Sequence, residues 1–211
     1  MQIVVISPEA RDPREIPAIA GFFAAGLERY HVRKPSWAAP ELEAWLRSLP
    51  GEWRPRIVLH EHHALVEKLG LGGRHDKDGG PGGDAQPRGS SRSCHDTASL
   101  RRHLGSYGTI LFGPVFPSLT KPGYGPPADF PWYELWALLR QKGRTGPAGA
   151  QGPARVLAIG GVTAQRLARC REIGFDGAAV LGAVWNDPDP ARAFERVRQA
   201  AARLEGVRNA A

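Results

Sequence analysis

Short strand-like runs, most of them apolar, recur along the chain, separated by stretches in which apolar residues return every three or four positions. The runs fall at 3–6, 29–32, 56–59, 72–74, 92–94, 109–112, 156–159 and 177–181. Each is the length of one strand, and several are apolar at successive positions, as strands buried on both faces are. Between them, helical spacing covers 16–25, 40–49, 63–69, 97–104, 132–141, 163–173 and 190–204. Asp96 and Thr163 stand where residues that open helices belong. Strands alternating with helices indicate βα units on a parallel sheet, and eight strands in strict alternation predict a single α/β domain folded as a compact, closed (β/α)8 TIM barrel.

Two segments interrupt the alternation. Residues 76–91 contain "DKDGGPGGDAQPRGSS", whose glycines and prolines exclude a helix, so the fourth helix of the barrel is expected to be replaced by a flexible loop. Residues 142–154 contain "GRTGPAGAQGPA", with glycine at every third position. Four triplets are too few for a collagen helix, and a second flexible loop is expected there. Strands continue on both sides of each segment, so 1–211 reads as one domain.

Composition narrows the class. Of 211 residues 42% are hydrophobic, enough for a packed core, and no apolar run nears the roughly 20 residues that cross a bilayer. No membrane association is therefore expected. The start "MQIVVISPEA" lacks the basic region and cleavage site of a secretory signal. With two cysteines, Cys94 and Cys170, a cytoplasmic location is expected. The net charge of +7 is spread from Arg11 to Arg208 without a basic run, which argues against nucleic acid as a partner. It suits a phosphorylated small-molecule substrate. No motif sets an oligomeric state, and a homodimer is kept open.

In this fold chemistry sits where the strands end. Those ends carry Arg33 and Lys34, His60 and Glu61, His75 and Asp76, then Ser93 and His95. The loop "GPVFPSLTK" at 113–121, Gly160-Gly161 and Leu181-Gly182 follow. Glycine after the last two strands lets an anion approach backbone N–H groups, the usual phosphate position of such barrels, although a plain tight turn uses glycine too. In "HEHH", His60 and Glu61 end a strand whereas His62 and His63 begin a helix, and HExxH spacing is missing. A hard cation held through Glu61 and phosphate oxygens fits that stretch better than zinc. His95 reads either as a general base or as a hydrogen bonder beside a helix start. Cys94 and the six tryptophans read as packing residues.

From "IVVIS" to "GAAVLGAVW" the chain resembles the thiamine-phosphate synthase superfamily, which includes the TenI-type thiazole tautomerases. The most specific pieces are "YHVRKP", "GPVFPSLTK", "LAIGGVT" and "GAAVLGAVW". The family loop Gly-Pro-x-Phe-Pro-Thr-x-Thr-Lys is met with one change, Thr to Ser at Ser118. The resemblance implies an enzyme joining an aminopyrimidine diphosphate to a thiazole phosphate, with Mg²⁺, and releasing pyrophosphate. It implies that Arg33 and Lys121 contact the diphosphate, that Ser118 and Thr120 lie near substrate and phosphate, and that Ser93 touches substrate. Gly160, Gly161, Leu181 and Gly182 fall where backbone groups hold the thiazole phosphate.

Several positions depart from the pattern. The family's Asn-Asp after strand three is His60-Glu61, and its second metal carboxylate can only be Asp76 or Asp78. The glutamine before the strand-two arginine is His31, and the lysine beyond it is Lys34, one position early. Pro114 stands where the tautomerases carry histidine. The expected function is thiamine-phosphate synthase, a transferase of thiamine biosynthesis. Catalysis is expected from Arg33, Lys121 and His95, and Mg²⁺ binding from Glu61, Asp76 and Asp78. A thiazole phosphate tautomerase using His95 or His31, and a non-catalytic paralogue that binds thiazole or thiamine phosphate, are the alternatives.

Overall fold

The computed structural model describes residues 1–80, 89–141 and 154–206. Eight parallel strands close into a barrel in chain order: β1 Gln2–Ile6, β2 Arg29–Val32, β3 Ile57–Leu59, β4 Gly73–Asp76, β5 Ser91–Cys94, β6 Thr109–Phe112, β7 Arg155–Ala158 and β8 Gly177–Val180. Each falls within two residues of its predicted range. The helices are α1 Glu15–Ala24, α2 Ala39–Ser48, α3 Ala64–Leu69, α4 Thr97–His103, α5 Trp132–Gln141, α6 Leu167–Ile173, α7 Gly182–Trp185 and α8 Pro190–Gly206. Helix α7 and a 3₁₀ segment at Gly51–Arg56 were not legible, being too short for a helical period to show.

Local chemistry sets the helix ends. Asp96 accepts a hydrogen bond from the Ser99 N–H at 2.6 Å, a side-chain cap commonly worth about 1 kcal/mol. Thr163 gives no such cap, and a 3₁₀ turn at Ala164–Arg166 precedes α6 instead. Glycine at φ +64° (Gly70) and +111° (Gly174) ends α3 and α6. In α8 the buried residues Ala193, Phe194, Val197 and Ala201 form one stripe at helical spacing. Phe194 meets Phe22 of α1 edge-on at 5.2 Å, sealing the layer over β1.

The two predicted loops fall mainly on 81–88 and 142–153, outside the described residues, and so does the replacement of a fourth helix. At their margins the ranges are corrected. Asp76 and Ser91 are strand residues, and Ala154 is buried just before β7.

Side chains alternate along each strand, which divides the core in two. Residues such as Tyr30, Val32, Ile57, Leu59, Cys94 and Phe112 face the helices and form the larger core. The opposite parity fills the barrel. There the interior is itself split: Val4, Ile6, Leu111, Leu157 and Ala179 pack as an apolar cluster from β1, β6, β7 and β8. The other side, from β2 to β5, carries buried His31, His60, His75 and Ser91. Ile159 and Leu181, at the ends of β7 and β8, rest on the apolar cluster.

Candidate active site at the strand ends

The C-terminal ends of the strands surround a pocket of about 800 Å³. One wall is the loop after β6. Its Gly113–Pro114 peptide is cis, and the Val115 and Phe116 N–H groups donate to Ile159 and Gly160 carbonyls at 2.9 and 3.1 Å. The loop is thereby stitched to the turn after β7. Ser118 Oγ then accepts from the backbone N–H of Thr120 and of Lys121, at 3.2 and 3.1 Å, a local turn that sets the course of the following residues. Ser118, Thr120 and Lys121 all line the pocket. Among the described residues the Lys121 ammonium has no carboxylate partner.

The glycines are explained by this docking. Gly160 and Gly161 adopt φ +91° and +60°, and a Cβ on Gly161 would lie 2.1 Å from the Pro117 carbonyl oxygen. A Cβ on Gly182 would press within 3.0 Å of Leu119 and Thr120. Glycine here lets the loop after β6 lie on the turns after β7 and β8, and Leu181 and Gly182 line the same cavity.

On the other side Arg33, half-buried, forms an ion pair with Glu9. Its backbone is fixed by Ser7, whose Oγ accepts from the Arg33 N–H at 2.8 Å and donates to the Arg33 carbonyl at 3.1 Å. Ser93, His75 and His60 form the floor. Ser93 Oγ contacts His75 Nε2 at 2.8 Å, and His75 Nδ1 contacts Ser91 Oγ at 2.8 Å. Exposed His95 donates from Nδ1 to the Gly113 carbonyl at 2.5 Å, which leaves Nε2 as the acceptor nitrogen. Asp78 accepts from the Ser99 hydroxyl at 2.8 Å and the His95 N–H at 3.1 Å. Burial would raise the Asp78 carboxyl, but these hydrogen bonds outweigh it and hold its pKa below the ordinary value.

Four predicted residues lie elsewhere, and alternation says why for three of them. Arg33 shares the inward parity of His31, whereas Lys34 shares that of Val32 and turns toward α1. Its buried ammonium donates to Glu15 Oε2 at 2.6 Å and to the Pro8 and Ala10 carbonyls at 2.7 and 3.1 Å. Tyr30 donates to the other Glu15 oxygen at 2.8 Å. Lys34 is therefore a buried structural cation and not a pocket residue. Glu61 also has outward parity; it accepts from the Lys34 N–H at 3.1 Å and faces the Lys77 ammonium at 3.4 Å. Asp76 points out of the barrel, accepting from the Tyr107 hydroxyl at 2.8 Å with the Arg74 guanidinium at 3.3 Å. Of the three carboxylates named for Mg²⁺, Asp78 alone lines the pocket. His31 does have inward parity but sits one layer below the floor, which removes it as a proton-transfer group for a substrate in the pocket. Tyr124 and Asn186 line the pocket and were missed, since neither stands at a strand end.

No model of a known protein family matches the chain. Curated relatives do. A thiamine-phosphate synthase of Methylobacillus flagellatus is 27% identical over 199 residues, 89% of this chain and 88% of that protein. A thiamine-phosphate synthase of Chromobacterium violaceum is 29% identical over 203 residues, covering 90% and 91%. Among solved structures, thiamine phosphate pyrophosphorylase from Bacteroides thetaiotaomicron superposes with a TM-score of 0.75 at 25% identity, over 96% of this chain and 98% of that one. With the closed barrel and the loop after β6 built as described, the chain resembles the thiamine-phosphate synthase/TenI superfamily along most of its length.

Proposed function

We propose that the protein is a thiamine-phosphate synthase, condensing hydroxymethylpyrimidine diphosphate with thiazole phosphate to thiamine phosphate and pyrophosphate. The observation that carries this reading is a single pocket bringing together Arg33, Lys121, the Ser118 and Thr120 hydroxyls and the glycine turns after β7 and β8. Two cations far apart in the sequence, Arg33 and Lys121, facing one cavity suit a dianionic or trianionic leaving group.

In the reaction the bond from the pyrimidine methylene carbon to the diphosphate oxygen breaks, and the electron pair leaves with pyrophosphate. The thiazole nitrogen then supplies the pair for the new C–N bond. The protein's part is to stabilise the leaving charge and to hold the nucleophile in line. Arg33 and Lys121 do the first, and the Ser118 turn orients Lys121 before substrate arrives. The turns at Gly160-Gly161 and Leu181-Gly182 seat the thiazole phosphate, while Ser93, fixed by His75, contacts the pyrimidine. His95, with Nε2 as an acceptor, is placed to hydrogen-bond substrate at the rim.

Mg²⁺ on a diphosphate needs one or two protein carboxylates, the remaining ligands being phosphate oxygens and water. Asp78 fits that requirement, whereas Glu61 and Asp76 are committed outside the pocket. When bound, the ion would neutralise charge on the departing diphosphate.

Preorganised donors of this kind are worth roughly 3–4 kcal/mol each in the barrier. Lys121→Ala is therefore expected to lose at least about a hundredfold in turnover. The assay incubates purified protein with both phosphorylated precursors and Mg²⁺ and follows pyrophosphate release. A Lys121→Ala variant that keeps near-normal synthase turnover overturns the assignment, as does a wild type that releases no pyrophosphate.

A further inference from the structure

We propose that His31, His60 and His75 form a binding site for a divalent transition-metal ion of the zinc type, inside the barrel directly beneath the substrate pocket. The three come from adjacent strands: His31 from β2, His60 just after β3 and His75 from β4. All have inward parity. One ring nitrogen from each lies within 4.8 Å of the other two, the one such group of three potential ligands among the described residues. His31 Nδ1 and His60 Nε2 stand 3.0 Å apart. Zinc–nitrogen bonds of 2.0–2.1 Å in a tetrahedral site place ligand nitrogens about 3.3 Å from one another. Two of the three are thus already near ligand spacing. His75, stacked on His60 at 4.1 Å between ring centroids, closes the triangle with a shift of roughly 1.5 Å.

The location argues against simple packing. Interior layers of such barrels are normally filled by branched aliphatic residues. The apolar half of this one follows that rule with Val4, Ile6, Leu111 and Leu157. Three imidazoles concentrated in the other half bring six polar nitrogens into a space where each needs a partner. Among the described residues, the hydrogen-bond partners of these nitrogens are each other and the hydroxyls of Ser91 and Ser93. A metal ion would take one nitrogen of each ring, in place of the His31–His60 contact and one of the serine contacts of His75. On metallation of His75 through one nitrogen, the serine on its other nitrogen keeps the ring oriented, as outer-shell partners of histidine ligands do.

The donor set selects the ion. Three imidazoles without a carboxylate or thiolate suit Zn²⁺, Cu²⁺, Ni²⁺ or Fe²⁺ and do not suit Mg²⁺, so this site is separate from the Asp78 position. Burial pushes all three histidines below their ordinary pKa, His31 to about 3, so that at neutral pH each is the unprotonated imidazole that metals bind. His60 and His75 line the pocket while His31 lies below it, which leaves the fourth coordination position facing the cavity. Arg33 and Arg92 stand near enough to disfavour added positive charge, and a water-derived or substrate oxygen anion in that fourth position would offset it.

The experiment titrates metal-free, full-length protein with Co²⁺, reading the visible absorption of tetrahedral cobalt, and then displaces it with Zn²⁺. One equivalent is expected, without the thiolate charge-transfer bands that a cysteine ligand would add, and Mg²⁺ does not compete. His31→Gln should weaken binding by roughly a hundredfold or more, beyond the 10–100-fold that loss of an outer-shell partner costs. His103→Gln, half-buried at the end of α4 against Tyr107 and away from the three rings, should leave it unchanged. Binding that survives His31→Gln, or a wild type that gives no tetrahedral spectrum and no zinc-dependent rise in melting temperature, overturns the proposal. Should His31→Gln not fold, the wild-type spectrum decides alone. No substrate is used, so the outcome is independent of the synthase assignment.

Discussion

Replacing Lys34 by methionine separates a structural cation from a catalytic one. The side chain is fully buried, and its ammonium makes three hydrogen bonds, one of them to the buried Glu15 carboxylate at 2.6 Å. Methionine fills the volume of the stem but leaves the Glu15 charge and the Pro8 and Ala10 carbonyls without their donor. Removing one partner of a buried ion pair costs about 3–5 kcal/mol. For a domain of this size that corresponds to a fall of roughly 6–20 °C in melting temperature. Urea unfolding followed by tryptophan fluorescence measures the loss directly, provided the slope against denaturant is unchanged. The matched control is Arg33→Met. Its ion pair with Glu9 is partly exposed and worth about 0–1 kcal/mol, so stability should barely move while synthase turnover falls. A double variant, Glu15→Leu with Lys34→Met, should recover part of the loss, because the isolated charge is gone and what remains unpartnered is neutral, the Tyr30 hydroxyl and the Pro8 and Ala10 carbonyls. If Lys34→Met unfolds within about 1 kcal/mol of wild type yet loses synthase turnover as Arg33→Met does, the burial argument fails and Lys34 returns to the phosphate site.

Other predictions concern titration and reactivity. In chelator, the three buried histidines stay neutral in the fold while the unfolded chain takes up their protons below about pH 6.5, so stability is complete above that pH and lost as pH falls. Between pH 7 and 5.5 the loss should reach about 4 kcal/mol, and His31→Gln should remove about a third of it; equal urea midpoints at the two pH values would contradict this. Burial pushes the Cys94 thiol up to about 11 and that of Cys170 up to about 12, so neither should react with a disulfide reagent at pH 8 until urea unfolds the chain. Fast labelling of the native protein would show that one of them is accessible.

The barrel was legible because its signal is repeated along the chain, most strands being apolar and bounded by turn residues, even though β4 and β5 are polar. The loop after β6 was legible as well, since Gly, Pro and hydroxyl residues at fixed offsets leave few conformations. What failed was the facing of polar residues at strand ends. Lys34, Glu61 and Asp76 were placed in the pocket by proximity in sequence, whereas each occupies the parity that turns away from it. Counting by twos from Val32, Leu59 and Arg74 gives that answer. The obstacle was that strands buried on both faces show no alternation of hydrophobicity, so the inward side had to be inferred from the histidines and serines themselves. The glycines after β7 and β8 were read as openings for an anion, and the structure adds a second cause, the close seating of the loop after β6.

The split interior has a bearing on how such a barrel changes chemistry. Ile159 and Leu181 carry the turns after β7 and β8 on a wedge of interlocked aliphatic side chains, which holds its shape through contact alone. The wedge from β2 to β5 is held by directional bonds between imidazoles and hydroxyls, and each of those can be exchanged for another donor or acceptor of similar size. The platform for one half of the pocket is therefore mechanically independent of the composition of the other. Residues 31, 60, 75, 91 and 93 form a panel that can be rewritten while the seat beneath the glycine turns stays where it is.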